Sequence, residues 1–417
     1  MICVGYGRHI SSSGRERPEV AVLHPEAMTR WSNWSGRHEV DVESLRFVRT
    51  EPELAGLIAR ATRAGRCVRV AGAGHSHQPL VPTCDLIVDL SALSGVISVD
   101  VARSSARVRA GTPIYALGPA LHSAGLALAN QGDIDRQFIG GAVATGTHGT
   151  GRTLSNLSAA VVGARVIVAS GDAIECSSAS EADLFEAVRL NLGAVGVVTE
   201  LDLQLRPAYR LAERGWTALY DEVRPEVDAL TDGHRHFEFF WYPRRDTAVA
   251  KVIDETDDEP RYPLGEEGGR LGWSFEVLPN HRPELHTEME FSVPIGRSLE
   301  CLDDLRALVR RDFPGLRWPI EYRTLAADDV WLSTAYHRDV ATISVHQGID
   351  EVDEPLFRAC ETVFRRYEGR PHWGKVNYFE AADFATSIPQ WRRWWTVRNR
   401  VDQAGTFLND YLRSLSA

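Results

Sequence analysis

The segment Ile139-Gly140-Gly141-Ala142-Val143-Ala144-Thr145-Gly146-Thr147-His148-Gly149-Thr150-Gly151 constrains this chain more than any other. It holds five glycines in thirteen residues, and its only large side chain is the imidazole of His148. Such a run cannot fill a close-packed core by itself. Two readings are open on these residues: a glycine-rich bulge between strands, or a surface laid against something flat and extended that supplies the missing packing. A cofactor is the obvious candidate for the second.

A shorter segment, Val70-Ala71-Gly72-Ala73-Gly74-His75-Ser76-His77, follows a strand pattern and precedes a proline-containing loop. Small residues there let main-chain N–H groups approach an anion closely. An ordinary tight turn fits the same residues. A Rossmann fingerprint does not, because the third glycine and the following amphipathic helix are missing.

The surrounding pattern is α+β. Short β-branched runs at Cys67–Ala71, Leu86–Leu90, Ala106–Ala110, Ala164–Ala169 and Val195–Leu205 read as strands. Helical patterns occupy Glu51–Ala64, Pro113–Ala124 and Glu181–Leu190, with proline or acid residues early. The strands lie too close together for a regular βαβ repeat. After Pro207, Gly, Ala and Val thin out while Trp, Tyr, His, Arg and Pro become common, which places a boundary near residues 207–215. Beyond it the pattern predicts strands at His236–Tyr242, Glu288–Val293, Pro319–Thr324 and Ala341–His346, with helices at Ser298–Asp312 and Glu354–Tyr367. That is an antiparallel sheet with helices on one side. Seven acids within residues 254–270, against only Arg261 and Arg270, predict a solvated mobile loop rather than a partner-binding tail.

A chain of 417 residues is too long for one ordinary core, so two domains or one large composite domain are expected. Its 57 acidic against 46 basic residues, a net charge of −11, argue against a general binder of nucleic acid or acidic membranes. Cys3, Cys67, Cys84, Cys176, Cys301 and Cys360 are scattered singly, without the pairs or Cys/His tracts that enclose zinc, and read as reduced thiols. No stretch approaches the roughly 18 apolar residues of a membrane helix, and residues 1–30 lack a signal core. The expectation is a cytoplasmic protein whose first thirty or so residues are partly disordered.

A third constellation lies in the second region. Strand alternation puts Glu321 and Arg323 on one face and Tyr322 on the other. Ile343-Ser344-Val345-His346 repeats the alternation, and His372-Trp373-Gly374-Lys375 follows. A carboxylate, a guanidinium, an imidazole and an ammonium on one face could bind a polyol or sugar, with one group placed to take a hydroxyl proton. A surface salt-bridge ladder is equally open on these residues alone.

Taken in order, these segments resemble the vanillyl-alcohol-oxidase (PCMH-type) FAD flavoproteins. Within them the chain is similar to the sugar-acid branch: L-gulono-1,4-lactone and D-arabinono-1,4-lactone oxidases and dehydrogenases, and the related alditol oxidases. The resemblance covers nearly all of residues 40–412 and rests on Gly-Ala-Gly-His-Ser at 72–76, Ala-Thr-Gly-Thr-His-Gly-Thr-Gly at 144–151, Gly-Ala-Val-Gly-Val-Val-Thr at 193–199, His-Trp-Gly-Lys at 372–375 and Phe-Leu-Asn-Asp-Tyr-Leu at 407–412.

The resemblance implies an N-terminal extension over 1–35, a two-subdomain FAD-binding domain over 36–210, and an antiparallel-sheet cap over 211–417 that binds substrate and returns to the flavin. It assigns Ala71, Gly72, Ala73, Gly74, His75 and Ser76, with Gly141, Thr145, Gly146, Thr147 and His148, to the FAD pyrophosphate and ribose. Val198 falls to the adenine, and Gly132 and His372 to the flavin ring. His75 stands where the family forms an 8α-N-histidyl bond to the flavin, and no cysteine between 85 and 175 offers a second tether. Glu321, Arg323, His346 and Lys375 are the implied catalytic residues, and Gln131 and Asp133 the implied substrate contacts. Two features depart from the alditol oxidases: the loop Asn130-Gln131-Gly132-Asp133-Ile134-Asp135, where those enzymes carry Ala-Ser, and His346, where they carry a threonine. The small Gly132 leaves space for O2 beside the flavin, which favours an oxidase over a strict dehydrogenase.

The implied activity is FAD-dependent oxidation of a CH–OH group in an aldono-1,4-lactone, with O2 or another acceptor closing the cycle. An alditol, or a sugar or cyclitol moiety of a larger natural product, is the alternative substrate. A catalytically silent flavin-binding protein is the rival from another class.

Overall fold

The hydroxyl of Thr50 accepts the main-chain N–H of Glu53 and opens the helix Glu51–Arg63, which has acids and a proline in its first turn and Arg60 and Arg63 in its last. In this computed structural model, which describes residues 28–416, the helix lays Leu54, Ile58 and Ala61 against Val68, Leu86 and Val88. The last three belong to a three-stranded parallel sheet ordered Ser44–Phe47, Leu86–Asp89, Val68–Ala71. Beside it stands a five-stranded antiparallel sheet ordered Ala173–Ser177, Val161–Ile167, Val197–Gln204, Ser105–Arg109, Val96–Asp100.

The residues beyond Pro207 build an eight-stranded antiparallel sheet ordered Leu271–Trp273, Arg210–Leu219, Thr247–Thr256, His236–Tyr242, Ile320–Leu325, Val340–Gly348, His286–Pro294, Arg370–Pro371. One face is apolar: Phe237, Phe239, Tyr322, Ile343, Val345, Met289 and Phe291 pack with Leu302 and Leu305 of helix Ser298–Asp312 and with Phe357 and Phe364 of helix Glu354–Arg366. Burying one such side chain contributes about 1.5–3 kcal/mol, so the alternating partners of these residues are forced onto the opposite face. The helix Trp391–Val401 then leaves this region and packs on Ala182–Arg189, with the Trp394 indole donating to the Ala187 carbonyl.

The α+β expectation matches the mixture of elements. Strand His236–Tyr242 and helix Ser298–Asp312 have the expected limits. Two expectations need correction. Residues Ile139–Thr145 form a short helix, not a loop or bulge. The acid-rich stretch is largely stapled: Asp254 and Glu255 belong to strand Thr247–Thr256, where Asp254 meets His234 and Glu255 meets Arg206 and Arg235. Glu259 pairs with Arg210, and Glu267 with Lys251 and Arg282. The expected extension 1–35 and its disorder fall mostly outside the described residues, as does Cys3. Residues Thr29–Ser32 pair with Glu39–Val42 as a hairpin.

Arg69, 2% exposed, holds the N-terminal part together without any carboxylate. Its guanidinium donates to the carbonyls of Leu80, Leu192, Gly193 and Phe407. Arg69→Leu leaves four buried acceptors without their donor, at about 1–3 kcal/mol each. The expected loss is therefore at least about 3 kcal/mol in denaturant unfolding, and an unchanged midpoint would refute this account.

Candidate active site

Two cavities meet between the N-terminal sheets and the polar face of the large sheet. The first, of about 1030 Å³, is walled by Ala71, Gly72, Ala73, Gly74, His75 and Ser76, by Gly140 and Gly141, by Asn191 to Gly193 and by Val197 and Val198, with Trp31, Asn33 and His38 of the hairpin region closing it. The main-chain N–H groups of Ala73, Gly74, His75 and Ser76 find no acceptor among the described residues. Gly74 sits at φ +70°, a conformation natural to glycine, and nothing lies within 4 Å of where a Cβ of Gly141 would stand. Unpaired main-chain donors on a wall of glycine and alanine suit a bound pyrophosphate, so these residues fit FAD.

The second cavity, about 2630 Å³ including its open mouth, shares His75, Ser76, Gln137 and Thr145 with the first. His75 thus stands at the junction. The floor is the polar face of the large sheet. One row across it reads Glu321, Ser344, Glu290, and the row beside it His346, Glu288. Lys375 pairs with Glu288, and Arg323 lies 2.7 Å from Glu290 and 3.3 Å from Glu321. At the other end Lys251 pairs with Glu238 at 2.8 Å, and Arg282 reaches Asp133 at 3.4 Å.

Burial and charge divide these groups. Burial opposes ionisation of Glu288 and Glu290, yet Lys375 holds the first, and His148 and Arg323 the second, well below the ordinary carboxylate value. Glu321 moves the other way. Burial pushes its carboxyl well up, and Glu238, Asp133 and Glu288 add to this against Arg323. His75, His346 and His372 are each lowered to about 4, first by burial, and are neutral at pH 7. His346 Nδ1 donates to the Pro319 carbonyl at 3.0 Å, which leaves the Nε2 lone pair free, 3.7 Å from Glu288.

Of the residues expected from sequence, Ala71 to Ser76, Gly141, Thr145 and Val198 line the first cavity. Gly132, Asp133, Thr147, His148, Glu321, Arg323, His346, His372 and Lys375 line the second. Gly146 and Gln131 line neither. Gly146 ends the short helix at φ +75°, and Gln131 is buried with its carbonyl packed against Gly149. The space a side chain would take at Gly132 is filled by the His148 carbonyl oxygen at 2.9 Å. That glycine serves close packing and offers no extra room for O2. Sequence reasoning missed Glu288, Glu290, Glu238, Lys251, Arg282 and His286. The signal was present: in His286-Thr-Glu288-Met-Glu290-Phe-Ser292 the polar residues alternate just as in Glu321-Tyr-Arg323.

The raised Glu321 carboxyl yields a signed pH dependence. The folded state holds its proton more tightly than the unfolded state, so this group destabilises the fold progressively as pH rises from about 4.5 towards its raised value. Glu321→Gln removes that penalty. The melting temperature of the variant relative to the parent should climb between pH 4 and pH 8, and a difference flat with pH would contradict the assignment.

Comparison with known proteins agrees with this geometry. Residues 43–177 match the FAD binding domain model, and residues 201–271 and 266–415 match the D-arabinono-1,4-lactone oxidase model. The chain is 36% identical over 422 residues to L-gulono-1,4-lactone dehydrogenase of Mycobacterium tuberculosis, covering 92% of this chain and 98% of the relative. It is 29% identical over 416 residues to alditol oxidase of a Streptomyces species, covering 93% and 99%. The solved structure of cholesterol oxidase from B. sterolicum superposes with a TM-score of 0.84 at 17% identity, covering 94% of this chain and 97% of that one, a likeness of fold alone. Among the described residues no helix is long and apolar enough to cross a membrane. With a PCMH-type fold, a cavity suited to FAD and a lactone-oxidase match over most of its second half, this chain belongs to the D-arabinono-1,4-lactone oxidase family of FAD-dependent oxidoreductases acting on sugar-derived CH–OH groups.

Proposed function

We propose that the chain oxidises the C2 hydroxyl of an aldono-1,4-lactone of the L-gulono or D-arabinono type. The observation that carries the reading is the meeting of the two cavities at His75, which sets a dinucleotide-shaped space against a floor of hydroxyl-binding groups. In this reading residues 36–210 hold the FAD and residues 211–417 cap it. When bound, the flavin supplies the hydride acceptor, and O2 or another oxidant restores it.

The chain's own groups do the rest. Arg323, Lys375 and the protonated Glu321 donate hydrogen bonds to the lactone oxygens and fix its face, with Asp133 accepting from an outer hydroxyl. His346 Nε2 takes the C2 hydroxyl proton as the hydride leaves, since its Nδ1–H is committed to Pro319 and the Lys375 amino group is engaged by Glu288. The resulting 2-keto lactone enolises to an ascorbate-type product. His75 would hold the flavin at the junction: its ring is neutral, so a nitrogen lone pair would be available for a tether.

Three measurements test this. After acid precipitation the yellow colour should stay with the pellet, and with His75→Ala it should pass to the supernatant. Anaerobic L-gulono-1,4-lactone should bleach the flavin, and bleaching by xylitol alone would transfer the assignment to an alditol. His346→Gln should retain flavin while kcat falls about 10²- to 10⁴-fold, and near-normal turnover in that variant would move the base elsewhere.

A further inference from the structure

Glu290 lies 1% exposed on strand His286–Pro294, and its carboxylate touches both halves of the site. Oε1 accepts from His148 Nε2 at 2.8 Å. Oε2 accepts from Arg323 Nη2 at 2.7 Å and from Ser344 Oγ at 2.8 Å. Its main-chain carbonyl also accepts the N–H of His372 at 3.0 Å. One buried acid therefore joins the glycine-rich cofactor segment to the guanidinium that faces substrate.

The second nitrogen of His148 completes the argument. Nδ1 lies 2.8 Å from the carbonyl oxygen of Gly149. A carbonyl and a carboxylate are both acceptors, whereas a neutral imidazole carries only one N–H. With Glu290 held as a carboxylate by Arg323 and Ser344, both bonds exist together only when the ring is doubly protonated. The other titratable or charged groups around the pair are His372, whose ring centroid is 5.7 Å from that of His148, Arg323 with its second partner Glu321, and Lys375 with Glu288. None of them offers His148 a second carboxylate within ion-pair reach.

We propose that Glu290 is a positioning residue that keeps His148 an imidazolium and locks it to Arg323, so that one carboxylate sets a positive charge on the cofactor side and the aim of a guanidinium on the substrate side. This rests on the reading of the two cavities as flavin and lactone sites. A cation held in the dry wall beside the flavin favours its anionic reduced form. The Arg323 clamp fixes the donor geometry that lactone turnover depends on.

The first test needs neither flavin nor substrate. Nitrogen-15 spectra of histidine-labelled protein at pH 8, with His148 assigned by His148→Gln, should show both ring nitrogens protonated in the parent and only one in Glu290→Gln. A neutral His148 ring in the parent would overturn the proposal. The second test follows the flavin midpoint potential against pH. Glu290→Gln should introduce an inflection near about pH 6.5, where an unpaired histidine titrates, and the parent should have none there. Glu290→Asp, which keeps the charge but not the reach, should follow the parent's potential curve.

With lactone, Glu290→Gln should lower kcat about 10²-fold with a smaller change in KM. Potential curves and kcat that superpose on those of the parent would refute the positioning role. Should Glu290→Gln fail to retain flavin, His148→Gln carries the electrochemical arm: a potential lower than the parent's supports the imidazolium, and an equal one refutes it. Failure of every lactone and polyol to reduce the flavin would sink the proposed substrate, while the nitrogen spectra and the potentials still decide this inference.

Discussion

Charge neutrality on one buried sheet face governs this molecule. Lys251, Glu288, Glu290, Glu321 and Arg323 of that face line one cavity with Asp133, Arg282 and Lys375 from adjoining loops, Glu238 pairs with Lys251, and most of these side chains are nearly withdrawn from water. An isolated charge in such a place is costly, and removing one member of a buried pair typically costs about 3–5 kcal/mol. Each group is therefore held by its neighbours: Lys375 by Glu288, Lys251 by Glu238, Arg323 by Glu290. Burial and acidic neighbours push Glu321, and Glu238 with it, towards protonation. A floor so nearly balanced carries donors and acceptors in fixed positions, which is what recognition of a polyhydroxylated molecule requires.

The cofactor side solves the opposite problem. Its glycine-rich wall is backbone and small side chains, with Trp31, His38 and Phe138 on other sides, and its guanidinium, Arg69, is spent on carbonyls. The glycines there have two uses. At Gly141 the missing side chain leaves the cavity open. At Gly140 it lets the short helix approach the Ala110 backbone, where a Cβ would meet the carbonyl oxygen at 2.9 Å. The same run of small residues therefore makes room on one side and packs closely on the other.

Much of this was legible in the sequence, and the misses have physical causes. Helix Ser298–Asp312 and strand His236–Tyr242 were readable because one side of each is apolar at the right period. Helix Ile139–Thr145 was not, since two glycines and three β-branched residues among seven are poor helix formers, and its close packing at Gly140 against Ala110 is a tertiary contact. The acidic stretch looked solvated because its arginine partners lie well outside it, from 15 residues away for Arg282 and Glu267 to 49 for Arg206 and Glu255. For the site, the motif-bearing side chains were found and their counter-ions were not. A glutamate on a strand is ordinarily a solvated residue, and only the sheet register brings Glu288 opposite His346 and Glu290 opposite Ser344.

The cofactor cavity is finished late in the life of the chain. Val68 donates to the Thr406 carbonyl, Arg69 to that of Phe407 across 338 residues of sequence, and Asn409 to the carbonyls of Pro79 and Pro82. During synthesis the glycine-rich walls leave the ribosome long before the segment that braces them. A nascent chain therefore carries an N-terminal half whose dinucleotide slot lacks this outer brace, with Arg69 short of one of its four carbonyls. Tight capture of the flavin belongs after translation, and any covalent attachment follows closure by residues made hundreds of codons later.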